Sequence, residues 1–330
     1  MSKLLENISD KKRIAIFTHI LPDADAICSA LTIQKLINEN FYQKRVDIFI
    51  DGEIGEKYKP VLQNETINPV PCEDYDMAIV LDCPNLERTG KYKETIEKIG
   101  NIVNIDHHET NTKFGKHNVV SDEASSTCEL MFLIAQAFDW QLNDTTAKLI
   151  YQGILTDTNC FTSSSMTKRS HIIISKLLKY DFDDIAIKEY YMKSNSVAKI
   201  LISSAALKSM EFYNDGKLTV MKIPYKIYSK AGASFEDTLG IVEMGINVLG
   251  AELSAIYIEK EPNKFYVSIR SKEKIDAAEI AKEFNGGGHK HMAAFQFEGN
   301  HKEIEKKFLE KVSPILDKIE KTETIDTIKF

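Results

Sequence analysis

Residues 17 to 27 read FTHILPDADAI, placing His19, Asp23 and Asp25 within seven positions. Further on, one apolar run ends in Asp82 (AIVLDCPN), another in Asp106, His107 and His108 (NIVNIDHH), and the stretch GILTDT carries Asp157. Carboxylates and imidazoles are proton carriers and metal ligands. Several carboxylates sharing one cleft repel one another and raise each other's pKa unless a cation sits among them. Two divalent ions would remove that conflict. Oxygen and imidazole ligands without thiolate favour Mn²⁺ or Mg²⁺ over a structural zinc. Two metals about 3.5–4 Å apart can hold both oxygens of an in-line displacement at phosphorus. Taken singly, each residue has a plainer reading: Asp25 suits a helix N-cap, and a lone histidine among eight suits a structural or surface role.

The elements that must position these groups alternate. RIAIFT (13–18), VDIFI (46–50), DMAIVLD (76–82) and NIVNID (101–106) read as strands. Helical patterns cover 26–40, 94–99, 126–139, 144–158, 168–179 and 183–192. Strands this apolar are buried on both faces, which predicts a parallel sheet covered by helices. Ligands of such sheets collect beyond the carboxyl ends of the strands, where three of these runs deliver their acids and imidazoles.

The segment MKSNSVAKILISSAALKSM (192–210) reads as a connecting helix with a Ser-Asn-Ser cap. Beyond it, Asn-Asp-Gly within 211–223 and EPN between two alternating runs signal hairpins. A short helix, DAAEIAKEF, ends at NGGGH, and an amphipathic helix spans 301–321. The expected organisation is therefore an α/β domain over 1–191, a linker helix over 192–210 and a smaller α+β domain over 211–330, with the active-site cleft between the two domains.

Composition bounds the function. The 330 residues are 43% hydrophobic and 28% charged, as in a soluble globular protein. The net charge of −7 argues against a long duplex gripped through its phosphates, which calls for a basic face. It suits a small anionic substrate held by metal ions. The polar N-terminus has no apolar core of a signal peptide, and no apolar run is long enough to span a bilayer. Cys28, Cys72, Cys83, Cys128 and Cys160 are odd in number and widely spaced, which suits reduced, buried thiols in a cytoplasm.

The set THILPDAD, LDCPNLERTG, IDHH and GILTDT resembles the DHH phosphoesterase superfamily, DHH itself being residues 106–108. YVSIRS and NGGGHKHMAAF resemble its DHH-associated C-terminal domain. Length and layout are most similar to the oligoribonuclease (nanoRNase) and pAp phosphatase branch. The resemblance implies two divalent cations, Mn²⁺ ahead of Mg²⁺. His19, Asp23 and Asp82 would hold one, and Asp25, Asp82, His107 and Asp157 the other. His108 would face the substrate phosphate, and Asp106 would orient the histidines from behind. Arg270, Gly286, Gly287, Gly288 and His289 would bind the nucleotide end. Physically, glycines let backbone N–H groups approach a phosphate and arginine offers a planar fork; the glycines suit equally a helix C-terminus.

The function implied is hydrolysis of short oligonucleotides and dinucleotides such as pApA to mononucleotides, and of the 3′-phosphate of pAp. The resemblance leaves room for a homodimer through the first domain. Two alternatives stand beside it. An inorganic pyrophosphatase of the superfamily would lack GGGH, and a catalytically silent nucleotide-binding module would be expected to lose a ligand. One departure concerns the substrate pocket: His291, Met292, Ala293, Ala294 and Phe295 stand where the family often shows small residues and then Gly. STCE (126–129) matches a family helix start, and capping by Ser126 or Thr127 is its expected role.

Overall fold

The computed structural model describes residues 2–319 except 63, 64, 73, 164 and 194. The chain divides into two compact units, Met1–Ser194 and Asn195–Phe330.

The first unit contains α1 (Ser2–Asp10), β1 (Arg13–Phe17), α2 (Ala24–Asn40), β2 (Arg45–Phe49), β3 (Met77–Leu81), α3 (Lys93–Ile99), β4 (Ile102–Asp106), β5 (His117–Val120), α4 (Thr127–Ala137), α5 (Asp144–Asp157), α6 (Lys168–Leu177) and α7 (Asp184–Lys193). Short 3₁₀ turns cover Glu56–Leu62 and Leu86–Tyr92. The five strands form one parallel sheet in the order β2-β1-β3-β4-β5. β3 and β4 are buried at every position, as expected of strands with helices on both faces. One face packs Ile14, Ile16, Ile79, Leu81, Val103 and Ile105 under α2, α4 and α5. The other packs Ala15, Phe17, Ala78 and Val80 under Ile96 of α3. Each fully buried Ile or Leu contributes about 1.5–3 kcal/mol relative to exposure.

Strand order reverses between β1 and β3, since the chain leaves β1 for β2 on one side and returns for β3 on the other. Such a switch point opens a crevice at the carboxyl ends.

The second unit contains α8 (Val197–Lys208), β6 (Glu211–Tyr213), β7 (Leu218–Ile223), α9 (Tyr225–Lys230), α10 (Phe235–Thr238), α11 (Ile241–Ile246), β8 (Leu253–Glu261), β9 (Lys264–Ser271), α12 (Ala277–Lys282), β10 (Gly287–His289), β11 (Met292–Glu298) and α13 (His301–Leu316). Its mixed sheet runs β10-β11-β9-β8-β7-β6, with β7 and β8 parallel and the other pairs antiparallel. Ile304, Phe308, Val312 and Leu316 of α13 and Ile280 of α12 join its core.

Several boundaries differ from the sequence expectation. Residue 192 belongs to the end of α7; the next helix begins at Val197 with Ser196 as its cap, accepting from Lys199 N. The last helix, expected over 301–321, ends at Leu316 with Asp317 as its C-cap, and residues 320 and 321 lie outside the described residues. Cys28, Cys83 and Cys128 are buried, whereas Cys72 and Cys160 are half-buried. Among the described residues no helix is long and apolar enough to cross a membrane.

Candidate metal centre

His19 follows β1, Asp82 follows β3, and Asp106, His107 and His108 close or follow β4. These strands are adjacent, so three carboxyl ends deliver their polar groups to one crest. Helices supply the rest: Asp23 and Asp25 stand at the start of α2, and Asp157 ends α5. Asp23, rather than Asp25, is the α2 N-cap, its Oδ1 accepting from Ala26 N at 3.0 Å. Asp25 sits in the first helical turn and is buried.

The groups form overlapping triads. Single ligand atoms of His19, Asp23 and Asp82 lie within 4.8 Å of one another, as do those of Asp25, His107 and Asp157 and those of Asp82, His107 and His108. His19 Nε2 is 3.5 Å from Asp82 Oδ2 and 4.0 Å from Asp23 Oδ1. His107 Nε2 lies 3.6 Å from Asp82 Oδ1 and 3.5 Å from Asp157 Oδ2. Asp82 is thus common to both ends of the cluster.

The surrounding hydrogen bonds set the orientation of each ligand. His19 Nδ1 lies 2.8 Å from Ile20 O. A carbonyl can only accept, so Nδ1 carries a proton and Nε2 is the ring nitrogen that faces the carboxylates. His108 Nδ1 lies 2.7 Å from Asp106 Oδ1, while Asn111 Nδ2 donates to Asp106 Oδ2 at 2.5 Å. Asp25 accepts from the backbone at the start of α4, Oδ2 from Thr127 N at 2.7 Å and Oδ1 from Cys128 N at 2.9 Å. A helix N-terminus suits a buried anion because its N–H groups are unpaired and its dipole is positive there. Ser126 caps α4 by accepting from Glu129 N at 3.0 Å. Thr127 does something else: its hydroxyl donates to Asp82 Oδ1 at 2.9 Å.

Backbone geometry is also special at the shared carboxylate. Asp82 has φ 57°, a left-handed conformation that aspartate adopts more readily than most residues other than glycine and asparagine. Beneath the cluster, Gly153 of α5 admits close approach. A Cβ there would lie 2.2 Å from Cys128 Sγ and 2.8 Å from Asp25 Oδ1.

The donor set fits divalent cations on electrostatic grounds. Asp25 is pushed up by burial first and then by the charges of Asp82 and Asp23, and Asp157 by burial first and then by Asp25, Asp82 and Asp23. Asp23 is raised by burial and by Asp82. Asp82 goes the other way: burial would raise it, but the His19 hydrogen bond and the charges of His107, His19 and His108 hold it well below the usual carboxylate range. Burial would lower the His108 pKa, yet Asp106 and Asp82 push it up to about 9. His19 is raised in the same way, Asp82 outweighing burial. Crowded carboxylates that resist joint ionisation are what cations relieve.

In the second unit, Arg270, Gly287, Gly288 and His289 line a cavity of about 310 Å³ with Phe235, Leu239, Tyr266, Ser268 and Met292. Arg270 is anchored there, Nε donating to Glu243 Oε1 at 2.8 Å and Nη1 to Ile269 O at 3.0 Å. Gly286 is not part of this lining. Its N–H bonds Ala281 O at 2.8 Å behind α12, and a Cβ would meet Ala294 O at 2.3 Å, so it closes the helix and packs under β11. Thr127, Asn111 and Gly153 were not singled out as site residues on sequence. STCE and the Asn of HHETN stand beside the motifs, but nothing local shows which atoms they meet.

A model of the DHH family, N-terminal domain, matches residues 13–154, and a model of the DHHA1 domain matches 215–320. A probable bifunctional oligoribonuclease and PAP phosphatase NrnA of Streptococcus mutans is 29% identical over 288 residues, 87% of this chain and 90% of the relative. The bifunctional oligoribonuclease and PAP phosphatase NrnA of Bacillus subtilis is 24% identical over 292 residues, 87% of this chain and 90% of the relative. An exopolyphosphatase-related protein of Bacteroides fragilis shares the fold, with TM-score 0.87 at 24% identity over 96% of this chain and 97% of that one. With its carboxylates and imidazoles gathered at the carboxyl ends of β1, β3 and β4 and both domain models matched in order, this chain belongs to the DHH phosphoesterase family and carries the family's DHHA1 domain.

Proposed function

We propose that the protein is a metal-dependent phosphohydrolase of short oligonucleotides and dinucleotides, of the nanoRNase and pApA-cleaving kind, that also removes the 3′-phosphate of pAp and releases mononucleotides. The observation that carries this reading is the sharing of Asp82 between the His19–Asp23 and His107–His108 groups. The NrnA relatives supply the substrate class.

His19, Asp23 and Asp82 would hold one cation, and Asp25, Asp82, His107 and Asp157 the other. Oxygen and imidazole donors suit Mn²⁺, with Mg²⁺ as the alternative. When bound, the pair supplies positive charge and Lewis acidity at phosphorus. The chain's own groups orient and exchange protons around it. Asp106 holds Nδ1–H of His108, which leaves Nε2 to donate to the phosphate or the leaving oxygen. Arg270, with Gly287, Gly288 and His289, would take the nucleotide end; Gly286 supports them from beneath. The free cysteines suit a cytoplasmic enzyme. A homodimer through the first domain belongs to the same reading and is tested by light scattering.

The test of the activity is a panel with Mn²⁺: pAp, pApA, RNA of two to five nucleotides, cyclic dinucleotides and pyrophosphate. Turnover of pAp or the short RNAs with pyrophosphate left intact is expected. Asp82→Ala should abolish that turnover with circular dichroism unchanged, because one carboxylate serves both cations. Wild-type rates in this variant would refute the two-metal assignment, and cleavage of pyrophosphate alone would replace the nuclease reading with a pyrophosphatase.

A further inference from the structure

We propose that Arg88 is a substrate-binding residue of this site, giving its guanidinium to a non-bridging oxygen of the phosphate under attack. The proposal rests on the phosphohydrolase reading above and adds a contact to it.

Arg88 lies on the loop that leaves Asp82, in the 3₁₀ turn Leu86–Tyr92. Asn85 caps that turn, its Oδ1 accepting from Arg88 N at 3.2 Å. Ile20 N donates to Arg88 O at 2.7 Å, which ties the loop after β3 to the loop after β1. Gly90 permits this approach: it has φ +61°, and a Cβ there would lie 2.2 Å from Asp51 Oδ2 and 2.6 Å from Ile20 Cγ2. The backbone of Arg88 is therefore pinned beside the cluster by groups other than its own side chain.

The guanidinium stands at the rim of the cluster, with Nη2 3.5 Å from His19 Nδ1. That ring nitrogen already gives its proton to Ile20 O, so it cannot accept, and the contact is a close approach rather than a bond. The nearby charges on the same loop are occupied elsewhere. Glu87 pairs with Lys93 at 2.9 Å, and Lys91 pairs with Asp51 at 3.1 Å. Among the described residues Arg88 makes no ion pair, and it is exposed. The aspartates of the cluster face one another and the imidazoles, leaving this cation unspent beside them.

An exposed guanidinium with unused N–H donors, on a backbone held beside a cation-binding cluster, matches the oxygens of a phosphate. Its planar fork can reach two oxygens at once, which an ammonium cannot do with the same geometry.

The test compares wild type, Arg88→Ala and Arg88→Lys by three measurements: Mn²⁺ binding by calorimetry, binding of inorganic phosphate to the Mn²⁺-loaded protein, and kcat and KM on pAp. Arg88→Ala is expected to weaken phosphate binding and kcat/KM by about 10- to 100-fold, the range for a charge-assisted hydrogen bond, while Mn²⁺ binding and Tm stay within twofold and two degrees or so of wild type. Arg88→Lys should recover part of the phosphate affinity. Unchanged phosphate binding in Arg88→Ala would overturn the proposal. So would a parallel loss of Mn²⁺ binding, since Arg88 would then be a prop for His19. If the wild type cleaves none of the panel, the activity reading fails, but the phosphate isotherms still decide the role of Arg88.

Discussion

Thr127 Oγ1 donates to Asp82 Oδ1 at 2.9 Å, joining the first turn of α4 to the end of β3 across 45 residues. Both groups are buried. The bond directs one lone pair of the shared carboxylate and leaves Oδ2 toward His19. Thr127→Val keeps the shape and removes the donor. A hydrogen bond to a charged group is worth about 1.5–3 kcal/mol, so kcat/KM should fall roughly 10-fold or more, with Mn²⁺ affinity falling alongside. Steady-state kinetics and Mn²⁺ calorimetry on the same preparation check this; a variant with wild-type values in both would make the bond incidental.

Metal-free protein should lose stability as pH rises. Asp25 and Asp157 bind their protons more tightly folded than unfolded. Their favourable contribution is complete below the ordinary carboxylate value of 3.8 and is lost as pH climbs through the raised folded values. Asp23 acts in the same sense, more weakly because half its side chain is exposed. His108 also has the same sign: its contribution is complete below 6.5 and is lost as pH rises through about 9. Asp82 opposes them, its lowered value contributing above 3.8 and failing only in stronger acid. Cations replace the protons. The gain in Tm on adding Mn²⁺ should therefore be larger at pH 8 than at pH 5.5, read by thermal melts with and without chelator. A gain independent of pH would contradict this electrostatic account.

Gly153→Ala should damage the site from below. Its Cβ would fall 2.2 Å from Cys128 Sγ and 2.8 Å from Asp25 Oδ1, in a packed region that cannot easily yield. Overpacking costs about 1–3 kcal/mol, and the displaced Asp25 should weaken Mn²⁺ binding. Urea melts and calorimetry report the two effects separately. Ala is otherwise the better helix former, so a stabilised variant would mean that α5 shifts freely.

Arg270→Ala should raise KM for pAp about 10-fold and leave Mn²⁺ binding in the first unit untouched. Arg270 lines the 310 Å³ cavity and is held by Glu243 and the Ile269 carbonyl. Glu243→Gln, which keeps the shape but loses the charge, should produce a smaller rise in KM. A fall in kcat at unchanged KM would move Arg270 from binding to the chemical step.

Much of this molecule was legible along the chain because its signals are local. Apolar runs of strand length, each ending in Asp or His, announce a parallel sheet with a polar crest. Asp82, Asp106, His107 and His108 could be picked out because the strand before each is unmistakable. Other features depended on which distant atoms meet. Asp23 rather than Asp25 caps α2, because the hydrogen-bond geometry at Ala26 decides a choice that two acids two positions apart leave open. Thr127 and Ser126 look interchangeable in STCE, yet only the docking of α4 against β3 assigns one to the carboxylate and the other to the helix end. The glycines at 286–288 divide in the same way, Gly287 and Gly288 lining a cavity that Gly286 does not reach. The chemistry of single side chains and the periodicity of short segments belong to the sequence. Partners across 45 or 100 residues, and the charges they impose, come only with the folded chain, because Coulombic and packing forces act through space rather than along the backbone.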